Sequence, residues 1–427
     1  MRGRGKIKPM RLARFHPLSA VVSAALVAIS TVLAVPTPAQ VPEWHQWRGP
    51  NRDGRSPETG LLQSWPAEGP PLAWSADGAG IGFSSLAASG GRLFTLGARG
   101  GTEFVMAYDA MTGEQLWIIP HARRFNNEQG DGSRSTPTVV GDRLYALGAR
   151  GDLSCLETST GRISWSVNVL ERYGGYSPYW GLSESPLVVD GRVLVNAGGR
   201  DGAIIALDAS DGSLLWRSQN DGAAYSSAVV QRLGDTVSAV FFTAQRAMGI
   251  TIDDGRLLWS YAGAANLTAN IATPIVRGHQ VFLSSNYGRG AALLEIEPRA
   301  AGGAAAREVY YNTSMRNHHS SSVLVVDHVY GFNSAILTAL RFKDGNIAWR
   351  DRSVGKGSLI YADNRLYLFS ERGVVGLAEA TPAGYRETGR FKLETGRART
   401  WSHPIISGGH LYLRDQDTIY AYDIRAR

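Results

Sequence analysis

One hairpin motif recurs along the chain and restricts the folds that the chain can adopt. Residues 105–117, VMAYDAMTGEQLW, read as a β-strand, a tight turn through Thr112 and Gly113, and a second strand that ends at Trp117. Variants of the motif return at 153–165, 204–216, 248–259 and 337–349. A hairpin cannot bury its own apolar face, so a recurring hairpin must stack against its neighbouring copies.

Each complete unit reads as four strands, A to D, and the A–B pairs can be counted. Eight such pairs occur, at 84–96, 135–147, 185–195, 226–242, 272–283, 321–330, 358–368 and 402–413. The D strands carry aromatic residues at equivalent positions: Trp117, Trp165, Trp216, Trp259, roughly Tyr310, Trp349, roughly Phe391 and Trp74.

The repeat pattern is incomplete at both ends in a complementary way. Residues 72–74 match a D strand without a preceding turn motif, whereas 419–423 match a C strand without a following D strand. Joining them closes a ring and removes an exposed sheet edge. We therefore predict an all-β fold: an eight-bladed β-propeller of four-stranded antiparallel blades over 72–427, closed by an N-terminal outer strand.

The N-terminal region reads as a targeting segment. Arg11 and Arg14 precede an apolar run at 18–35, and the small residue Ala39 follows. This pattern predicts a cleaved signal peptide at 1–39 and a secreted or periplasmic protein. An uncleaved membrane anchor is the alternative, but we expect no transmembrane span in the mature protein. A lipoprotein is not expected, because the cysteine that follows cleavage in lipoproteins is absent.

The charge of the chain is concentrated in that predicted signal peptide. The formal net charge is +7, and residues 1–39 contribute six basic residues and no acid, which leaves about +1 for the rest. Nucleic-acid binding is therefore not expected. Cys155 is the single cysteine, so it can form neither an internal disulfide nor a thiolate metal cluster. We expect it to be buried and unreactive.

Residues 40–71 are rich in proline, glycine and polar side chains, which favours an extended arm. Trp44, Trp47 and Trp65 are expected to anchor this arm on the exterior of the ring or on its lower face.

The segment Ala107-x-Asp109-x-x-Thr112-Gly113-x-x-x-Trp117 matches the AxDxxTGxxxW pattern of PQQ-type propeller repeats. On this motif the chain resembles PQQ-binding-like β-propeller repeat proteins of the quinoprotein alcohol dehydrogenase-like superfamily. One branch of that superfamily contains PQQ-dependent dehydrogenases. Another contains non-enzymatic rings such as the outer-membrane assembly factor BamB.

The resemblance to PQQ enzymes implies a set of requirements. Such an enzyme needs an aromatic stacking partner, cations for the cofactor's carboxylates, a Ca²⁺ ion held by acidic and amide oxygens, and a base. The adjacent cysteines of the classical enzymes are absent, and no Ca²⁺-ligand set or catalytic residue can be assigned by motif. PQQ with Ca²⁺ remains a possible cofactor, whereas catalysis and a resident metal are not expected.

The positions of basic and aromatic residues in the repeat suggest a binding face. In a propeller, the B–C turns and the D–A connections share one face. The B–C turns place a rim of arginines there: Arg99, Arg150, Arg200, Arg246, Arg289 and Arg372, with Asn333 and Arg414 near the two remaining equivalent points. The alternative is that these arginines only solubilise exposed turns.

The D–A connections carry a second set of candidates near the mouth of the channel: Arg134, Trp180, Lys356, Trp401 and His403, with His318 on the rim. His318 and His319 are neighbours, and on one strand they would point to opposite faces. A satisfied polar role is expected for these histidines rather than metal binding.

The leading hypothesis is a monomeric binding scaffold whose basic, aromatic face takes a small anionic or polyhydroxylated ligand, or a protein partner. A PQQ-dependent alcohol or sugar dehydrogenase and a BamB-like assembly factor are the alternatives.

Overall fold

The computed structural model describes residues 43–299, 302–394, 396 and 398–426, and these residues form eight four-stranded antiparallel sheets. The prediction of an eight-bladed β-propeller is therefore confirmed. The predicted signal peptide at 1–39 lies outside the described residues.

The blades are numbered in chain order, and each runs A to D from the central channel outwards. Blades 1 to 4 contain β2 (Ala87–Ser89), β3 (Arg92–Arg99), β4 (Thr102–Asp109) and β5 (Gln115–Arg123); β6 (Thr138–Val140), β7 (Arg143–Leu147), β8 (Asp152–Glu157) and β9 (Ile163–Asn168); β10 (Leu187–Val189), β11 (Arg192–Asn196), β12 (Ile204–Asp208) and β13 (Leu214–Ser218); β14 (Val229–Leu233), β15 (Thr236–Phe242), β16 (Ala247–Thr251) and β17 (Leu257–Tyr261).

The second half repeats this order. Blades 5 to 8 contain β18 (Ile275–Arg277), β19 (Gln280–Ser284), β20 (Ala291–Pro298) and β21 (Ala304–Asn312); β22 (Val323–Val325), β23 (His328–Asn333), β24 (Ile336–Arg341) and β25 (Ile347–Asp351); β26 (Gly357–Ala362), β27 (Arg365–Ser370), β28 (Val374–Glu379) and β29 (Glu387–Lys392); β30 (Ile405–Ser407), β31 (His410–Asp415), β32 (Thr418–Asp423) and β1 (Leu72–Ala76).

Blade 8 joins the two ends of the repeat, as the sequence predicts. Strand β1 pairs antiparallel with β32, and Trp74 lies opposite Ala421 while Ser75 lies opposite Tyr420. Because β1 covers the open edge of β32, no blade is left with three strands. The closure prediction is therefore confirmed.

Aromatic residues of the D strands hydrogen-bond to the next blade at six of the eight junctions; the indole N–H of Trp259 in blade 4 has no partner among the described residues, and blade 7 has Phe391 at this position. The indole N–H of Trp117 in blade 1 donates to the carbonyl of Thr158 in blade 2 at 3.1 Å. Equivalent hydrogen bonds from the D-strand aromatic residue are made by Trp74, Trp165, Trp216, Tyr310 and Trp349. The same bond from Trp74 to Ala110 joins blade 8 to blade 1, at 3.1 Å, so the closing contact repeats the others.

The glycine of the TG turn is required by this contact between blades. Gly212 has φ +74°, and a Cβ atom there would lie 2.7 Å from the ring of Trp165 in the preceding blade. Only glycine combines the positive φ with so close an approach of an aromatic ring. At such a junction the tryptophan of one AxDxxTGxxxW motif therefore pairs with the glycine of the next copy.

A belt of hydroxyl groups links blades around the channel at the start of the A strands. The hydroxyl of Ser185 accepts the amide of Thr136, and the hydroxyl of Ser227 accepts the amide of Ser185, both at 2.9 Å. Ser321 accepts the amide of Thr273 at the same distance. Serine therefore precedes the β-branched A strands because its hydroxyl satisfies backbone groups of the neighbouring blade.

The N-terminal arm lies on the face of the A–B turns, opposite the B–C turns. It extends two innermost strands by backbone pairing: Trp44 bridges Ala88 of blade 1, and Arg55 bridges Tyr361 of blade 7. Glu58 accepts the amides of Gly408 and Gly409 in the A–B turn of blade 8, so the arm reaches that blade as well.

Two buried arginines of the arm bind backbone carbonyls at the channel wall. Arg48 donates to the carbonyl of Ser322 in blade 6 at 2.6 Å, and Arg52 donates to that of Ser185 in blade 3 at 2.7 Å. Both side chains are almost fully buried. The arm therefore crosses the channel and closes it at this end.

The helical content of the described residues is one short α-helix, α1 (Val169–Tyr173), between blades 2 and 3. Asn168 caps it by accepting the amides of Leu170 and Glu171, and Gly174 ends it at φ +69°. Among the described residues, no helix is both long and apolar enough to cross a membrane.

Candidate ligand-binding site in the central channel

A cavity of about 470 Å³ occupies the channel on the side of the D–A connections. Every one of the eight connections between blades contributes to its lining, which consists of Phe83, Gln129, Arg134, Trp180, Ser183, Tyr225, Ile271, His318, His319, Ser321, Lys356, Arg399, Trp401 and His403, together with Tyr287 from a B–C turn and Trp47 from the arm. Such a volume is typical of small-molecule sites.

The floor of the cavity is made by Trp47. Its indole N–H donates to the hydroxyl of Thr273 in blade 5 at 2.9 Å, and its ring lies 4.6 Å from that of His403. The arm carries Trp47 to this position because the flanking Trp44 and Arg48 are fixed to the channel wall. The expectation that Trp47 lies on the exterior or lower face is therefore wrong.

One wall of the cavity is aromatic. The rings of Trp180 and Tyr287 are nearly parallel, with centroids 6.5 Å apart and an interplanar angle of 23°. Tyr225 packs against the same indole at 5.6 Å, and its hydroxyl accepts the backbone N–H of Trp180 at 3.2 Å. Helix α1 and the loop after it present Trp180 to the channel.

The opposite wall is built around Trp401. The ring of His319 stacks on it at 5.2 Å with an interplanar angle of 16°, and its indole N–H donates to Glu371 at 3.0 Å. Two cations lie over the indole ring: Lys356 at 5.7 Å and Arg399 at 5.1 Å from its centroid. Positive charge is therefore held against the aromatic surface.

The cations differ in how far they are compensated. Lys356 forms an ion pair with Glu371 at 3.5 Å, whereas Arg399 donates to the neutral amide of Gln129 at 2.8 Å. Arg134 donates to the carbonyls of Gly130 and Gly132, both at 2.5 Å. Burial lowers the pKa of Arg134 to about 10, so it stays charged near neutral pH.

The three histidines of the cavity are neutral near neutral pH. Burial, reinforced by Lys356, lowers the pKa of His318 to about 4 and that of His319 well below its usual value. Burial, reinforced by Arg48, lowers the pKa of His403 to about 3. Neutral imidazoles each offer one donor and one acceptor, so they can recognise polar groups without adding charge.

The donor set matches only part of what PQQ with Ca²⁺ requires. Aromatic rings and three cations suit a flat, carboxylate-bearing molecule, but the described residues that line the cavity include no carboxylate. The described residues also contain no group of three or more His, Cys, Asp or Glu that could hold a metal ion. The residues present therefore do not fit the calcium ion of a PQQ centre.

The structure brings together all five candidates from the channel mouth. Arg134, Trp180, Lys356, Trp401 and His403 line one cavity. His318 lies with them in the cavity and not on the rim. Its Nε2 is 3.1 Å from the hydroxyl of Tyr287, which also lines the cavity. Contrary to expectation, His318 and His319 both face the cavity, because 313–322 forms an irregular connection and not a strand.

The six rim arginines lie at the B–C turns and do not line the cavity. Arg150, Arg200, Arg289 and Arg372 are exposed there. Arg99, also exposed, packs against the sulfur of Met106, and Arg246 lies 3.6 Å from Asp221.

Arg414 departs from the predicted rim. Its guanidinium is buried and donates to the carbonyls of Ser84, Leu96, Ala79 and Gly80 at 2.7–3.0 Å. It therefore ties blade 8 to blade 1 and is unavailable to a ligand.

Sequence reasoning did not select Phe83, Tyr225, Tyr287 or Arg399. Two of them share a position with known candidates: Phe83 and Tyr225 directly precede the serine that begins a repeat unit, as Trp401 does. Aligning the repeats at that serine would have identified them.

The fold and the site define the class of protein: an eight-bladed β-propeller with PQQ-like repeats and a basic, aromatic cavity in its channel. Residues 72–351 match the family described as outer membrane protein assembly factor BamB. The chain belongs to that family.

Two curated relatives have different activities in their names. The chain is 30% identical over 120 residues to the quinohemoprotein alcohol dehydrogenase ADH IIB of Pseudomonas putida, and 27% identical over 205 residues to BamB of Yersinia pestis. The matches cover 26% and 44% of this chain, and 17% and 47% of the relatives. The chain thus spans less than half of either relative.

Solved structures agree on the fold. BamB from Moraxella catarrhalis has a TM-score of 0.60 at 15% identity and covers 83% of this chain, which covers 98% of that structure. The quinohemoprotein alcohol dehydrogenase from Comamonas testosteroni has a TM-score of 0.61 at 13% identity, with coverages of 90% and 81%. At such identities the similarity supports the architecture alone.

Proposed function

We propose that the protein is a secreted or periplasmic binding protein that captures a small anionic ligand in the channel cavity. The observation that carries this proposal is the composition of the lining: its described residues include three cations, five large aromatic side chains beyond the floor and no carboxylate, while Glu371, the counter-ion of Lys356, lies outside the lining. A partly enclosed site strengthens the attraction between such cations and an anion, because less water screens them.

The proposal is tested by binding of defined anions to the purified protein. Citrate, pyridine-2,6-dicarboxylate and PQQ would be titrated, with quenching of tryptophan fluorescence as the readout, since Trp180 and Trp401 form the two walls. At least one anion is expected to bind and to raise the melting temperature. If none of the three does so, the proposal is refuted.

Matched variants locate the site. Replacing Lys356 and Arg399 together by glutamine removes two positive charges from the cavity, and affinity should fall at least about 10-fold for each charge-assisted hydrogen bond lost. Replacing exposed Arg150 and Arg289 by glutamine removes the same charge from the rim and should leave affinity unchanged. The opposite pattern would transfer the site to the rim arginines.

A BamB-like role in outer-membrane protein assembly is the second candidate, and the family match over 72–351 favours it. The loop that carries Trp180 also exposes Tyr176 and Tyr179 by 65% and 66%, a surface suited to a protein partner. Deleting the gene should then lower the amounts of outer-membrane β-barrel proteins. Restoration by the wild type but not by the Tyr176→Ser, Tyr179→Ser double variant would support this role; unchanged amounts after deletion would refute it.

A PQQ-dependent dehydrogenase is the least supported candidate, because the cavity does not fit the calcium ion. Dye reduction in the presence of PQQ, Ca²⁺ and a panel of alcohols and sugars would support dehydrogenase activity. We expect no dye reduction.

A further inference from the structure

A second cavity, of about 410 Å³, lies between the N-terminal arm and the innermost strands of blades 3, 4 and 5. The arm contributes residues of its turn at 46–53, and the blades contribute residues of β10, β14 and β18 together with Pro274. The blade side of the lining is apolar except for Arg232. Among the described residues the two cavities share no lining residue, so the second one is a separate site.

The arm itself shows how the edge of an innermost strand is covered. The amide of Ala88 in blade 1 donates to the carbonyl of Trp44, and the amide of Val139 in blade 2 donates to the carbonyl of His45, both at 2.8 Å. Two consecutive residues of the arm therefore pair with two consecutive blades, through one carbonyl for each blade. After His45 the arm turns into the channel and leaves this edge.

The equivalent edge of blades 3, 4 and 5 is left open by the arm. Val188, Val230 and Val276 correspond to Ala88 and Val139, since each lies three positions after the residue of its blade in the hydroxyl belt. Their register within the blade turns their N–H and C=O groups towards the channel. All three valines line the second cavity, and these backbone groups have no hydrogen-bond partner among the described residues. Such an edge is a template for pairing with another chain.

The lining also carries one uncompensated positive charge. Arg232 in β14 is exposed and forms no ion pair within the part of the chain that the structure describes. The other charged groups of the lining are already engaged. Arg52 binds backbone carbonyls of blade 3, and Asp53 has the cations Arg48 and Arg55 nearby. A group that binds beside the valines should therefore be acidic.

We propose that the second cavity binds an extended, acidic segment of a partner protein. Carbonyls of the segment accept from the amides of Val188, Val230 and Val276, and one of its carboxylates pairs with Arg232. The segment thereby continues along blades 3 to 5 the backbone pairing that the arm makes along blades 1 and 2. One carbonyl for each blade, as in the arm, requires about three consecutive residues, and the aliphatic walls favour β-branched side chains in it.

The test begins with selection from a random heptapeptide library on the purified protein. The selected peptides should contain Asp or Glu next to Val, Ile or Thr. A library that gives no such sequence overturns the proposal. The best peptide is then resynthesised and its Kd is measured by fluorescence anisotropy. Methylation of its backbone nitrogens should weaken binding at least about 10-fold, because it removes the donors to the valine carbonyls. Unchanged affinity would exclude backbone pairing.

Matched variants locate the binding. Val276→Pro removes an amide that faces the cavity and not the neighbouring strand, and should weaken binding about 5-fold or more. Leu324→Pro, at the equivalent position of blade 6 outside the cavity, is the control and should leave the Kd unchanged. Arg232→Gln should also weaken binding about 5-fold, whereas Arg150→Gln on the opposite face should not. If Arg232→Gln has no effect, the acidic half of the proposal is wrong.

Two further results would assign the peptide or the cavity differently. Loss of binding in the Lys356 and Arg399 double variant, with Val276→Pro unaffected, would place the peptide in the first cavity and overturn the proposal. Dimerisation of the protein in analytical ultracentrifugation that Val276→Pro abolishes would make a second copy of the chain the occupant, and would overturn it as well. Neither result bears on capture of small anions in the first cavity, which is tested separately.

Discussion

Acidification should destabilise the propeller through His403, and the size of the effect follows from its environment. The ring is buried between Trp47, at 4.6 Å, and the backbone of His319, with the buried cation Arg48 nearby. Burial lowers its pKa from 6.5 to about 3. The folded state therefore keeps this imidazole neutral at a pH where the unfolded chain protonates it.

The sign follows from proton binding in the two states. Between about pH 6.5 and pH 3 the unfolded chain binds the extra proton, so the free energy of unfolding falls as the pH falls. At about pH 5.5 the unfolded imidazole is protonated about ten to one, and His403 alone costs about 1.4 kcal/mol relative to about pH 8. As the pH rises above 6.5 the imidazole of the unfolded chain becomes neutral as well, and the full free energy of unfolding is retained.

The assay is urea unfolding at about pH 8 and pH 5.5 for the wild type and His403→Gln. Other titrating groups contribute to both proteins and cancel, so the difference of differences should be about 1.4 kcal/mol. The same substitution at exposed His279 controls for the loss of one histidine. A difference of differences near zero would refute the buried, neutral state assigned to His403.

Three further substitutions test the contacts between blades. Gly212→Ala should destabilise by about 1–3 kcal/mol more than Gly191→Ala in urea unfolding, because both glycines have positive φ but only the first would place a Cβ against Trp165. Equal losses would mean that backbone strain alone matters. Arg414→Met should lower the free energy of unfolding by about 3–5 kcal/mol, because it leaves several buried carbonyls unpaired. An almost unchanged melting temperature would contradict this. Trp349→Phe keeps an aromatic ring but loses the 2.8 Å hydrogen bond of the indole and part of its packing, and should lower the free energy of unfolding by at least about 1 kcal/mol.

The architecture was accessible from the sequence because its determinants are local and repeated. Gly113 and Trp117 recur at the same spacing in other units. The glycine lies against the aromatic residue of the preceding blade, and the tryptophan contacts the next blade. The incomplete units at 72–74 and 419–423 fix the closure for the same reason.

The site was only partly accessible, because its residues meet through the ring and not along the chain. Repeat position was enough to select Trp180 and Trp401 as candidates for the channel mouth, because both lie in connections between a D strand and the next A strand. It could not place Trp47, because an arm outside the repeat has no register with it. Arg48 and Arg52 give no sequence signal of burial, since their partners are backbone carbonyls, which any sequence provides.

Closure of the ring through blade 8 has a kinetic consequence. Arg414 and its partner Ser84 are 330 positions apart in the chain, whereas neighbouring blades are joined by short connections. The entropy lost in bringing such distant segments together is recovered only when the other blades have stacked, so blade 8 should be the last to assemble. Interactions formed that late act mainly on the unfolding rate, and the junction of β1 with β32 should therefore set how long a folded molecule survives.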